Sequence, residues 1–273
     1  MSIHTAAKEA NIIELERLLS EGKNRDSIRL GDDRGNLPLH VAVKYGQQQT
    51  ARLLLQRGAD EYAQTANAFK TALHIAAATD NMFFIDLLDK NRSTLAVKAR
   101  DMYGYTPLHT AVRAENDKAV VTLLQRGADM EAKSKNGETA LLYAVRKGSR
   151  SIVNLLLEKK ADVHARDKKG NSVLHKAKNW ETYKDLRRHC DDFLQKGKFP
   201  KNHNGQTPLH LAAKRGDIYV VEDMCRRGAN PAKEDEAGHT PLHFAREGLH
   251  VDTIRYLMHR VDHQSREAKA ASI

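Results

Sequence analysis

Residues 101–134 read DMYGYTPLHTAVRAENDKAVVTLLQRGADMEAKS, and this stretch returns along the chain with drift. Its core, Thr106-Pro107-Leu108-His109, recurs as Leu37-Pro38-Leu39-His40, Thr71-Ala72-Leu73-His74, Thr139-Ala140-Leu141-Leu142, Ser172-Val173-Leu174-His175, Thr207-Pro208-Leu209-His210 and Thr240-Pro241-Leu242-His243. The leucines at 39, 73, 108, 141, 174, 209 and 242 lie 33–35 residues apart. A fixed period of this size marks a repeat array, whose thin units bury their apolar faces only by stacking on neighbours.

Within one unit the chemistry is local. Asp101-Met102-Tyr103-Gly104 reads as a turn, and Thr106-Pro107 opens a short helix because Thr caps exposed amides and Pro lacks only an amide that would go unpaired. Leu108, Ala111 and Val112 follow at helical spacing. Glu115-Asn116-Asp117 turns the chain, a second helix carries Val120, Val121, Leu123 and Leu124, and Gly127 stops it.

The pattern Asp-x-x-Gly-x-Thr-Pro-Leu-His, an Ala-rich helix, a Val/Leu-rich helix and Gly-Ala-Asp (Gly58-Ala59-Asp60, Gly127-Ala128-Asp129) resembles the ankyrin repeat. The resemblance implies an all-α solenoid of about eight helix-turn-helix units with turn or hairpin fingers. Residues 1–30 read as an N-terminal capping repeat built on Ile3-His4-Thr5-Ala6-Ala7. Seven repeats fill 31–262, starting near 31, 66, 101, 134, 167, 202 and 235, and 263–273 form a polar tail expected to be irregular. The resemblance also implies that the motif histidines, His4 included, tie neighbouring turns together, and that Leu142 leaves its turn less firmly held.

In such arrays turn tips and inner helices line a concave binding face. The surface positions there include Arg34, Lys44, Asn67, Lys70 and Thr79. The residues expected to touch a partner are Tyr45, Met102, Tyr103, Tyr105, Arg113, Arg146, Lys147, Lys168, Lys169, Trp180, Lys214 and Arg215, because exposed aromatics and Arg carry interface energy and the cations recur in successive units. The implied function is that of a non-enzymatic adaptor, scaffold or inhibitor, monomeric, holding a protein with an acidic patch. Nucleic-acid binding through the basic face is the alternative. A bacterial effector aimed at a host protein is another context the same architecture fits.

Composition narrows the classes further. The 273 residues carry a formal charge of +10, 40% apolar and 5% aromatic residues. A basic field favours acidic proteins, nucleic acid or anionic surfaces without choosing among them, and no run of five basic residues concentrates it. Cys190 and Cys225 give no disulfide framework, which points to a reducing, cytoplasmic setting. No secretory leader and no span of ~20 apolar residues is visible, so membrane insertion is not expected. No metal or cofactor motif is present. His259 and His263 share one helical face but lack further zinc ligands, since that helix is expected to end near Val261. Cys190 reads as a small apolar residue on an outer helix.

The sixth repeat departs most from the period. Its His175 lies 22 residues before Gly197, where 18 separate His109 from Gly127. The surplus is expected near Thr182–Asp185, between inner and outer helix. A longer exit is expected in the third unit at Asn91-Arg92-Ser93-Thr94.

Overall fold

The computed structural model describes residues 1–20, 25–88, 94–190 and 199–270. It resolves into two compact units, Met1–Ala140 and Leu141–Ile273. Gly197 and the expected exit at 91–93 lie outside the described residues.

In the first unit α1 (Ile3–Glu9) and α2 (Ile12–Ser20) form the cap, followed by a 3-10 turn at Arg25–Arg29. Then come the pairs α3 (Pro38–Lys44) with α4 (Gln48–Gln56), α5 (Ala72–Ala77) with α6 (Met82–Leu88), and α8 (Pro107–Arg113) with α9 (Asp117–Gln125). The short α7 (Thr94–Lys98) precedes the third of these. The inner helices pack in the order α1, α3, α5, α8, and the outer helices in the order α4, α6, α9. Leu73, Leu108, Ala111, Val112, Val120 and Leu123 are fully buried between the layers.

The second unit holds α10 (Ala140–Lys147, entered from the last residue of the first unit), α11 (Arg150–Glu158), α12 (Val173–Lys176), α13 (Trp180–Arg187), α14 (Pro208–Arg215), α15 (Ile218–Arg226), α16 (Pro241–Glu247) and α17 (Val251–Ala270). Helices α12, α14 and α16 pack in series, as do α11, α13, α15 and α17. Helix α17 runs on to Ala270, past the end expected near Val261 and into the stretch expected to be an irregular tail. No strand is found among the described residues, so the fingers are turns alone.

The recurrent Thr and His form one device. The Thr106 amide donates to His109 Nδ1 at 3.3 Å and the Thr106 hydroxyl lies 2.9 Å from the same nitrogen. Nδ1 is therefore an acceptor, which leaves the proton on Nε2 to donate to the Glu138 carbonyl of the next finger at 3.0 Å. The same strap joins His74 to Tyr105, His175 to Gln206, His210 to His239 and, in the cap, His4 to Leu30. His40 keeps the Nδ1 contact to the Leu37 amide, but its Nε2 finds no partner in hydrogen-bond geometry. Leu142 is fully buried and can form no strap, so the one between the fifth and sixth repeats is missing.

Fingers follow one design. Asp101 Oδ1 accepts the amides of Tyr103 and Tyr105 at 2.8 and 2.9 Å, and Lys135 N donates to the Tyr103 carbonyl at 2.9 Å. Gly104 sits at φ +72°, and a Cβ there would stand 2.8 Å from Lys135 N, so only glycine fits. The second finger lacks this glycine. It closes one residue later, Thr65 N to Lys70 O at 2.8 Å, by placing exposed Phe69 at φ +51°. A left-handed conformation is unfavourable for such a residue. Phe69→Gly is therefore expected to stabilise the first unit by roughly 0.5–1 kcal/mol after the entropy cost of glycine, read as a higher urea midpoint.

The sixth repeat differs from expectation. Helix α12 has four residues where other inner helices have six to eight, because Ala177 turns extended at φ −52°, ψ 112°. Helix α13 starts five residues after His175, whereas α9 starts eight after His109. Thr182–Asp185 thus lie inside α13, with Thr182, Tyr183 and Asp185 buried, and not in an enlarged turn. The surplus therefore does not lie between inner and outer helix. Cys190 is fully buried, but past the end of α13 and not on its face.

Candidate functional site

The truncated α12 explains one residue at once. Arg215, at the end of α14, sends Nη1 to the His175 carbonyl at 3.1 Å, supplying a donor where α12 has no further turn to give one. Its Nε and Nη2 are buried with no partner, and burial holds its pKa below the ordinary arginine value. The partner-contact role expected for Arg215 gives way to a structural one, because these donors are closed to an incoming molecule.

On the finger and inner-helix side of the first unit lies a cleft of about 340 Å³. Arg34, Lys44, Lys70 and Arg113 line it, with Ile75 and Ala78 as apolar floor and no carboxylate. Burial, reinforced by the charge of Arg113, lowers the pKa of the Lys70 amine, and Asp101 offsets this only in part. Among the described residues Lys70 and Arg113 form no ion pair. Tyr103, Tyr105 and Met102 sit on the adjoining third finger, Tyr103 exposed and 6.0 Å from Tyr105, which in turn lies 5.5 Å from His109. Exposed Tyr45 stands between the ammonium groups of Lys8 and Lys44, at 5.2 and 5.6 Å.

In the second unit Lys168 and Lys169 are exposed on one finger, with the Lys169 carbonyl accepting the His203 amide of the next. Arg146 lies over the Tyr143 ring at 4.6 Å and Lys214 near Phe244 at 5.5 Å, both exposed at the ends of inner helices. Lys147 is half-buried beside Arg146. Trp180 does not join them. It is the first residue of outer helix α13, half-buried between Tyr183 (5.9 Å) and Tyr219 (6.4 Å) with Arg187 over its ring.

The outer helices treat charge differently. Five arginines on or just past them meet carboxylates: Arg126 with Asp86, Arg57 with Glu16, Arg150 with Asp185, and Arg187 and Arg227 with Asp223. On the finger side the buried Lys176–Asp167 pair is the counterexample, at 2.8 Å. Arg34, Lys44 and Lys70, which the sequence places on the binding face without naming them among the expected contacts, complete a cationic cluster with Arg113. Their signal was a turn position and a helix end that carry a cation in one unit after another.

Among the described residues no three His, Cys, Asp or Glu side chains come together to hold a metal, and the His259 and His263 rings lie 6.4 Å apart. Among the described residues no helix is long and apolar enough to cross a membrane.

Family models described as ankyrin repeats match residues 2–65 and 181–267, and a second such model matches 108–157. The chain is 28% identical over 316 residues to a transient receptor potential cation channel, subfamily A member 1, of Drosophila melanogaster, which covers 94% of this chain and 26% of the channel. It is 29% identical to mouse inversin (89% of this chain, 20% of inversin) and 31% identical to the mouse B-cell lymphoma 3 protein homolog (93% and 49%). It therefore spans from about a fifth to about half the length of these curated relatives. Among solved structures it resembles the ankyrin repeat domain of Bcl-3, at 28% identity and a TM-score of 0.60, over 93% of this chain and 98% of that one.

Proposed function

Because the chain belongs to the ankyrin-repeat family, we propose that it is a non-enzymatic protein-interaction module, an adaptor, scaffold or inhibitor, that holds an acidic partner surface on its fingers and inner helices. The observation that supports this is the contrast in charge pairing. Arg126, Arg150 and Arg187, on or just past outer helices, meet carboxylates, while among the described residues Lys70, Arg113, Lys168, Lys169 and Lys214 on the finger side form no ion pair. Such charges give on-rate and selectivity for an acidic surface, and the neighbouring Tyr45, Tyr103 and Tyr105 add contact energy. We read the module as monomeric and cytoplasmic, with both thiols buried, Cys225 pushed up by burial to about 11.

The test reverses Arg146, Lys147 and Lys214 to Glu together and leaves Arg215 in place, since its bond to the end of α12 is structural. Partner capture from lysate is expected to fall by about tenfold or more while far-ultraviolet circular dichroism stays unchanged. Undiminished capture by the folded triple variant refutes the reading.

A further inference from the structure

We propose that the cleft lined by the first and second fingers and the inner-helix ends of the first unit is a binding site for a phosphomonoester, presented as a phosphorylated serine or threonine side chain of the protein partner. This rests on the reading of the chain as an interaction module and narrows it to one ligand chemistry in one unit.

Charge balance is the first argument. Four cations, Arg34, Lys44, Lys70 and Arg113, line one cleft that contains no carboxylate. The Asp101 carboxylate does bear on Lys70, but it is 4% exposed and its Oδ1 is committed to the Tyr103 and Tyr105 amides. Two neighbouring cations without a counter-charge destabilise the empty site and are relieved by an anion. Burial first, and then the charge of Arg113, lowers the Lys70 amine, and the buried Asp101 offsets this only in part. A carboxylate brings one negative charge. A phosphomonoester brings about −1.5 to −2 and three strong acceptor oxygens, which suits a guanidinium fork beside an ammonium group.

The neutral donors around the cleft are already in use. Asn67 Nδ2 donates to the Arg34 carbonyl at 3.0 Å, Thr79 Oγ1 to the Ala76 carbonyl at 2.8 Å, and Asn36 Nδ2 to Asp32 at 3.1 Å. A ligand that needs neutral hydrogen bonds therefore finds few, and one that needs positive charge finds four. The floor of Ile75 and Ala78 lies where the methyl or methylene of a phosphorylated side chain would rest.

The probes are three capped peptides, acetyl-Gly-X-Gly-amide with X phosphothreonine, Glu or Thr, titrated into the labelled full chain at ~50 mM salt and followed by amide resonances. The phosphothreonine peptide is expected to move the amides of Lys70, Thr79 and Thr110 saturably. The Glu peptide should bind at least about tenfold more weakly and the Thr peptide not at all. Arg113→Ala is expected to weaken binding by about tenfold or more, Arg113→Lys to restore part of it, and Arg246→Ala, outside the cleft, to change nothing. Should Arg113→Ala disturb the fold, Lys70→Ala serves in its place. Equal binding of the phosphothreonine and Glu peptides, shifts elsewhere in the chain, or indifference to both cleft variants overturns the proposal. So does Arg113-dependent sedimentation with vesicles containing phosphatidylinositol 4-phosphate in the absence of peptide binding. The two readings fail separately. Loss of partner capture in the Arg146, Lys147, Lys214 variant with no phosphopeptide binding removes only the phosphate site. Phosphopeptide binding with undiminished capture removes the wider reading.

Discussion

Taking the chain from pH 7 to pH 5 is expected to cost about 4 kcal/mol of folding stability through His40 and His175 alone. Burial lowers both rings to about 4, against ~6.5 in an unfolded chain. The unfolded chain therefore binds more protons between these values, so stability falls as pH falls. The contribution is complete above ~6.5 and lost progressively down to ~4, and at pH 5 about 1.5 units have been crossed, or about 2 kcal/mol per ring. The geometry gives the cause. Nδ1 of His175 accepts from the Ser172 amide and Nε2 donates to Gln206, so only the neutral ring satisfies both partners, and a second proton would point at a donor. His74, His109 and His210 are lowered in the same sense, burial first among the causes. Asp32, Asp167 and Asp235 are held low, so their contributions are lost below ~4 and do not enter this window. Urea midpoints at pH 7, 6 and 5 measure the slope, and His40→Gln with His175→Gln should flatten it. A midpoint that does not move contradicts the burial of these two rings in their neutral form.

Asp223→Ala is expected to lower stability by about 2–3 kcal/mol, and Asp223→Asn by less. This carboxylate is 7% exposed and ties three donors together: Tyr183 Oη at 3.0 Å, Arg187 Nη1 at 2.6 Å and Arg227 Nε at 2.8 Å. Burial raises its pKa, but bonds from Arg227, Tyr183 and Arg187 outweigh burial and keep it ionised. Tyr183 is fully buried, so removing the acceptor strands its hydroxyl. Both arginines keep partial access to water, which holds the loss below that of a fully buried pair. Thermal unfolding of Asp223→Ala, Tyr183→Phe and the double variant gives the coupling. A single-variant loss under about 0.5 kcal/mol would show that the network only decorates the surface.

The repeat made the fold legible, because Thr, Pro, Leu and His at one spacing answer local needs: a cap, a helix start, a core contact and a strap. The sixth repeat was misread for a physical reason. Counting from His175 to Gly197 gives the surplus but not its place, and what sets the place is the extended Ala177, a backbone choice with no strong residue signature. Its place two residues after the motif's alanine pair puts Trp180 on the inner side by pattern, but the early start of α13 puts it on the outer side. Arg215 shares its sequence signal with Lys214, two cations at a helix end. Only the vacancy left by α12, a tertiary fact, separates the buried one from the exposed one.

The straps all point one way along the chain. His74 waits for Tyr105, His109 for Glu138 and His210 for His239, while the end of α12 waits for Arg215, 40 residues later. During synthesis, then, a strapped repeat is not finished when its own last residue leaves the ribosome. Each such repeat is sealed by the one translated after it, and the sixth is not complete until the arginine that closes its shortened helix has emerged.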